Sequence, residues 1–477
     1  MASKNMKNLV LVALMCAASP IEAHEVLIGA TVLDGLGRSI EDGVVVVNSD
    51  RIACVGTRAE CAIPDDSTVR DVTGSFITPG LVDAHIHFDQ TGWIDGRPDG
   101  IEDREVYPYE ETIAALRADP GRWHRSYLCS GVTAVFDVGG APWTVTEAQT
   151  TDTERPDRAH ARAAGPLVTH AGRNEFHAYG TLADQPIYLP MESVEQIRAD
   201  VARIKAMSSI AVKVWFLKPA PDQKEKLDGL LMEVGKAAKA NGLPLIVHAT
   251  ELESAKTALR AGAKILVHSV DDEPVDQEFL DLMAANQAVY SPTLQAARNW
   301  RRAMLSVATG EPAAIDDPNL CVDQELLDRI SDPQALQPAL QAKTDDKITP
   351  WAMRLIDVGR GDLMMAQNLR SVRDAGGHIV MATDAGNPLT LHGPSVYWEM
   401  EAMERAGMTP EEVIHASTLA GAQAMGLADD IGSLEVGKIA DLLVLKDDPR
   451  ETVRNFRSLS HVMRAGVLKT QEELRVR

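Results

Sequence analysis

Basic residues are in short supply in this chain. There are 47 Lys and Arg against 69 Asp and Glu, a formal net charge of −22. So acidic a surface is repelled by phosphate backbones and anionic headgroups, which argues against nucleic acid and against a stable membrane association. Cysteine is scarce too: none of the five residues stands in C-x-x-C spacing, so thiolate zinc sites and dithiol redox motifs are excluded. Long hydrophobic runs are missing. The apolar stretch Leu9 to Ala18 is too short to span a bilayer. No internal repeat is visible. What is present, 45% hydrophobic and 24% charged residues over 477 positions, is an ordinary globular composition with room for one large domain and a smaller one.

Lys4 and Lys7 ahead of that apolar stretch, with Ile21-Glu22-Ala23 as a cleavage site, read as a secretory signal over residues 1–23. The expected location is periplasmic or secreted. Export changes the meaning of the remaining cysteines. Cys54 and Cys61 flank a turn-like segment, either as a local disulfide or as two small core residues.

His85-Ile86-His87, entered through Thr78-Pro79-Gly80-Leu81-Val82-Asp83-Ala84, carries the first chemistry. Side chains two apart on a strand share a face, so two imidazoles ~6–7 Å apart can converge on one metal ion. By itself the pair can equally fill space. Further candidates follow in order: Lys213 in Ile210-Ala211-Val212-Lys213-Val214-Trp215-Phe216, His248 after Leu245-Ile246-Val247, His268 after Ile265-Leu266-Val267, and Asp384 after Val380-Met381-Ala382-Thr383. Each ends or interrupts a Val/Ile/Leu-rich run of the kind that forms a parallel strand buried on both faces. A charge in such a run is costly unless paired or metal-bound.

With PGLVDAHIH, KVW, VHA, VHS and ATDAG, then Thr418-Leu419-Ala420-Gly421-Ala422 and Gly432 through Leu442, the chain resembles the amidohydrolase superfamily, in its imidazolonepropionase-like and prolidase-like branch. The resemblance implies an α/β fold, a (β/α)8 TIM-type barrel over 79–430. A small β-sandwich would be split between 24–78 and 431–477. Strands are expected to end near His87, Val138, His170, Trp215, His248, His268, Pro292 and Asp384. Helices are expected over 194–207, 222–241, 251–261 and 274–286, with a partly helical insertion over about 299–362. In such barrels the active site lies at the C-terminal strand ends.

For the site, the resemblance implies two divalent metal ions, zinc first among them. His85, His87, Lys213 and Asp384 would hold one, and Lys213, His248 and His268 the other. An ammonium has no lone pair to offer, so Lys213 would have to be carboxylated by CO2; the alternative is an ordinary ammonium paired with Asp384. A metal-bridging hydroxide would attack, with Asp384 as proton shuttle. His177 is the loop histidine expected to polarise the substrate carbonyl. Arg173, Tyr179, Trp215, Lys218 and His392 are candidate substrate contacts, each with a plain structural alternative.

The expected reaction is hydrolysis of a C–N bond in a small-molecule partner such as a dipeptide or N-acyl amino acid. A cyclic imide, lactam, lactone, carbamate or phosphotriester is the alternative, and a non-catalytic binding module the third. Homo-oligomer or monomer is left open. One departure bears on substrate: His248-Ala249-Thr250 lacks the Tyr that dipeptidase-like relatives carry for a substrate carboxylate.

Overall fold

A computed structural model describes residues 24–95, 105–151, 153–170, 181–182, 185–343 and 348–477. The expected leader, and the loop bearing Arg173, His177 and Tyr179, lie outside the described residues.

The two ends of the chain build one sheet. His24–Leu33, Ser39–Asn48 and Arg51–Thr57 form an antiparallel meander, while Thr68–Asp71 and Phe76–Pro79 run parallel along the other edge of His24–Leu33. Leu442–Leu445 pairs antiparallel with Phe76–Pro79, and Leu459–Arg464 and Val467–Thr470 follow. The sequence predicts a sandwich; the structure has a single hydrogen-bonded sheet of eight strands. Its run Val44–Val47 is buried throughout because both faces are covered. Val45 and Val47 pack with Leu27, Ile77, Leu442 and Val444, whereas Val44 and Val46 pack with Val26 and Cys61.

Between these ends, apart from the short antiparallel pair Thr181–Leu182 and Gln185–Pro186, the strands are parallel and alternate with helices. Seven of them are ordered Tyr188–Pro190, Leu167–Thr169, Val212–Trp215, Leu245–His248, Ala263–Val267, Val289–Ser291 and His378–Ile379. Three more, Leu81–Ile86, Val132–Asp137 and His160–Ala163, form a second parallel sheet. Backbone hydrogen bonds join the two at both margins. The Ala84 amide donates to Met381 (3.1 Å) and the Asp384 amide to His85 (2.8 Å); opposite, the Ile210 amide donates to Ala163 (3.2 Å).

Helices Val194–Ala206, Lys224–Ala240, Leu252–Arg260 and Gln277–Asn286 fall on the predicted segments. Ser193 and Asp276 cap the first and last by accepting from Gln196 and Phe279 amides, as the sequence pattern at a helix start favours. Two elements differ from expectation. His160–Ala163 is a strand with no apolar run to announce it, and the last strand is only His378–Ile379. The latter is cut short because Val380, Met381 and Asp384 turn their amides to three different partners, Tyr290, Ala416 and His85.

The segment after Ser291 is largely helical, with Ala296–Thr309, Gln324–Ser331, Gln337–Lys343 and Ile348–Asp374. Val307, Leu326, Ile330 and Leu336 pack there against Trp93, Leu389 and Leu391. Cys54 is bonded to Cys61, and Cys129 to Cys321 across 192 residues. Nothing in the sequence pointed to the second pair. It ties the helix Gly121–Cys129 to the helical excursion, both sulfurs fully buried.

Closing a loop of that length in the unfolded chain is worth about 5 kcal/mol by chain entropy, against about 2 for the short Cys54–Cys61 loop. Calorimetry should therefore find Cys129→Ser well below wild type in melting temperature and Cys54→Ser only slightly below. Equal losses would contradict the long-range tether.

Candidate active site

The strand Leu81–Ile86 is buried at every position. Asp83, on this strand, buckles it to the segment that carries Asp384. Its carboxylate accepts from the Thr383 hydroxyl (2.6 Å), the Thr383 amide (3.0 Å) and the His85 amide (3.3 Å). Burial pushes Asp83 up to about 7 against the pull of those bonds. The next residues complete the join: the His87 amide donates to Ala385 (2.8 Å). Gly386 has φ of 108°, and a Cβ there would lie 2.8 Å from the His87 carbonyl, so only glycine lets the chain pass this close.

This buckle brings three ligand atoms together. His85 Nε2 and His87 Nε2 are 3.2 Å apart, and Asp384 Oδ1 lies 3.2 and 3.1 Å from them. All three residues are buried. The Gly139 carbonyl can only accept, so His87 Nδ1, 2.6 Å away, carries a proton, and Nε2 is left to donate to Asp384 in the protonated ring or to offer a lone pair to a metal ion in the neutral one. Asp137 holds that carbonyl in place by accepting from the Gly139 and Phe88 amides. Burial alone would raise Asp384, but the His87 bond and the surrounding cationic groups outweigh it and hold the carboxylate below its usual range. Two imidazole nitrogens and a carboxylate oxygen, mutually in contact and out of water, form a donor set that fits a divalent cation.

Lys213, His248 and His268 face the same cavity, whose volume is about 360 Å³. The His248 and His268 rings are 4.5 Å apart, and His268 is 5.3 Å from His85. His268 Nδ1 rests 2.6 Å from the Thr293 hydroxyl, an orienting contact the sequence did not signal. Burial lowers Lys213 to about 8 despite Asp384 and Asp137, and lowers His248 to about 3 with the Lys213 charge adding to it. The structure thus gathers all six predicted ligands around one space.

The other predicted contacts divide. Trp215 lines the cavity, its ring 6.1 Å from both Tyr188 and His248. Lys218 is exposed and stands outside the lining. His392 is corrected: it is buried away from the cavity, stacked on Trp123 at 4.2 Å, with Nε2 on the Gln90 carbonyl (2.9 Å) and Nδ1 on the Tyr127 hydroxyl (2.8 Å). Both nitrogens are used, so it is a structural residue. Gln90, Thr250, Asp271, Trp300 and Asn387 line the cavity without having been foreseen. As isolated polar or aromatic residues in loops and helices they carried no periodic signal.

The amidohydrolase family model matches residues 76–469. The chain belongs to that family. This amidohydrolase is 26% identical to the imidazolonepropionase of Micrococcus luteus over 452 residues, covering 91% of this chain and 96% of the relative. Among solved structures it is similar to a Xaa-Pro dipeptidase with bound methionine, with a TM-score of 0.68, 20% identity and coverage of 94% of this chain and 100% of that one. Phenylurea hydrolase B gives a TM-score of 0.68 at 22% identity, covering 94% and 97%. The two structures share the fold. The family and the His85–His87–Asp384 group together make this chain a metal-dependent hydrolase of C–N bonds.

His392 generates a pH prediction. Burial outweighs the bond to Gln90 and lowers it to about 3, so the unfolded chain binds a proton near pH 6.5 that the folded chain refuses. Stability is complete above 6.5 and falls as pH drops toward 3, by about 2 kcal/mol at pH 5 from this residue. Urea unfolding at pH 7.5 and 5.0 should show a smaller drop in His392→Asn than in wild type; an identical drop would contradict the assignment.

Proposed function

We propose that this amidohydrolase is an exported binuclear enzyme, loaded with zinc, that cleaves the amide bond of a small substrate such as an N-acyl amino acid or a dipeptide. One observation carries the proposal: His85, His87, Lys213, His248, His268 and Asp384 line a single cavity of small-molecule size. We read the two parallel sheets as arcs of one (β/α)8 barrel, with 24–78 and 431–477 as the halves of a second, split domain. Two disulfides fit an oxidising compartment and support export.

His85, His87 and Asp384 would hold one ion, and His248 and His268 the other. Lys213 would bridge them as a carbamate, formed by its amine attacking CO2 with loss of a proton. A buried lysine near 8 has a usable fraction of free amine at neutral pH, which favours that reaction. Bound divalent metal supplies Lewis acidity, lowering the pKa of water and polarising a carbonyl. Asp384, ionised at neutral pH, accepts the proton that attacking water gives up and passes it to the leaving nitrogen, so that amide and water become acid and amine. Trp215, Tyr188 and Trp300 line the same cavity and would flank a bound substrate.

A second reading has its own support. Lys213 is the only Lys or Arg among the described lining residues, so a substrate carboxylate has no cationic partner there. Neutral substrates, such as a cyclic imide, lactam, lactone, carbamate or phosphotriester, keep a place on that ground.

Metal analysis of purified protein should give two equivalents of zinc per chain, and less than one would sink the binuclear centre. Asp384→Asn should lower kcat by at least a thousandfold with an unchanged circular dichroism spectrum; near-wild-type turnover would remove its proton-transfer role. A hydrolysis screen of N-acyl amino acids and dipeptides against lactones and phosphotriesters separates the two readings of substrate.

A further inference from the structure

Asp271 is a cavity-lining residue that no structural duty explains. It follows His268 by three positions, and its amide donates to the Thr250 carbonyl at 2.9 Å, which fixes it at the mouth formed by the strands ending in His248 and Val267. Its acidic neighbours are engaged at the start of the helix Leu252–Arg260. Asp272 accepts from the Leu252 amide (3.0 Å), and Glu251 immediately precedes that helix and is hydrogen-bonded to Ser254. The Asp271 carboxylate accepts from no residue but its own backbone amide and has no ion-pair partner among the described residues. Lys218 acts on it only at longer range. Burial, with Glu251 and Asp272 adding to it, raises Asp271 to about 6, so it is ionised at neutral pH with its charge poorly compensated.

The surroundings suit a cation. Trp215, Trp300 and Tyr188 line the same cavity, and aromatic faces attract ammonium and guanidinium groups. Gly361 lies in the interior of the helix Ile348–Asp374, where alanine would be about 1 kcal/mol more favourable. A Cβ on Gly361 would stand 3.6 Å from Asp271 Cβ and 3.9 Å from Oδ2, so the glycine keeps space open beside the carboxylate. Met365, one turn further, lines the cavity.

We propose that Asp271 is a specificity-determining residue that binds a positively charged nitrogen of the substrate, so that this enzyme prefers small amides bearing an ammonium or guanidinium group. The proposal rests on the cavity being the substrate site. The test compares two chromogenic amides of equal length, the 4-nitroanilides of 5-aminopentanoate and of hexanoate. Wild type should favour the amino compound at least tenfold in kcat/KM, Asp271→Asn should bring the ratio to within about twofold of one, and Asp271→Glu should restore the preference. A wild-type ratio at or below one, or an Asp271→Asn ratio unchanged from wild type, would overturn it.

Calorimetric titration of the metal-loaded enzyme with benzylammonium and benzyl alcohol keeps the subsite testable without turnover. Tighter binding of the cation by tenfold or more, lost in Asp271→Asn, supports the proposal even if neither anilide is cleaved, in which case the amide reading alone fails. Equal binding of the two probes overturns the subsite.

Discussion

Three lone-pair atoms held in mutual contact set the terms for the rest of this structure. His85 Nε2, His87 Nε2 and Asp384 Oδ1 sit 3.1 to 3.2 Å from one another in a buried site. Such atoms repel unless something positive, a metal ion or a proton on His87, lies among them. The arrangement is imposed by the scaffold, and positive charge relieves it. The Asp83 buckle, the Gly139 carbonyl on His87 and the close approach at Gly386 are the means of imposing it.

The backbone shows where the force is applied. His268, Thr293 and Asp384 all have left-handed φ, at 75°, 46° and 66°. A non-glycine residue held in that region costs roughly 1–3 kcal/mol, and such residues persist where surrounding structure over-determines them. Two of these three are ligand candidates, and the third orients one of them. Thr293 is itself anchored from behind: buried Glu399 accepts from the Leu294 and Gln295 amides (2.7 and 3.0 Å), fixing the turn that delivers the threonine hydroxyl to His268. Burial raises Glu399 to about 8 against those two bonds, so this support lies in a region of low polarity.

Much of the centre was legible in the sequence because metal ligands at strand ends obey a simple rule. A polar residue that closes an apolar run is out of place unless it has a partner, and His85, His87, Lys213, His248, His268 and Asp384 all break their runs in this way. What escaped was whatever depends on contacts between distant segments. Thr293 and Asp271 have no pattern of their own. His392 looked like a pocket residue from its closeness to Asp384 in the chain, yet Trp123 and Tyr127, more than 260 positions earlier, turn it inward. Cys129 and Cys321 are paired by the fold of the helical excursion, which spacing does not encode. The terminal strands read correctly as strands, but period-two patterning does not say whether two buried faces belong to two sheets or to one.

Everything proposed for this amidohydrolase requires divalent metal between these side chains. Anomalous diffraction from crystals of the zinc-loaded protein measures that directly. A binuclear centre predicts one peak among His85, His87 and Asp384, a second beside His248 and His268, and density joining Lys213 Nζ to a carboxylate between them. An ordered site with no anomalous peak, and Lys213 as a plain ammonium against Asp384, would contradict it.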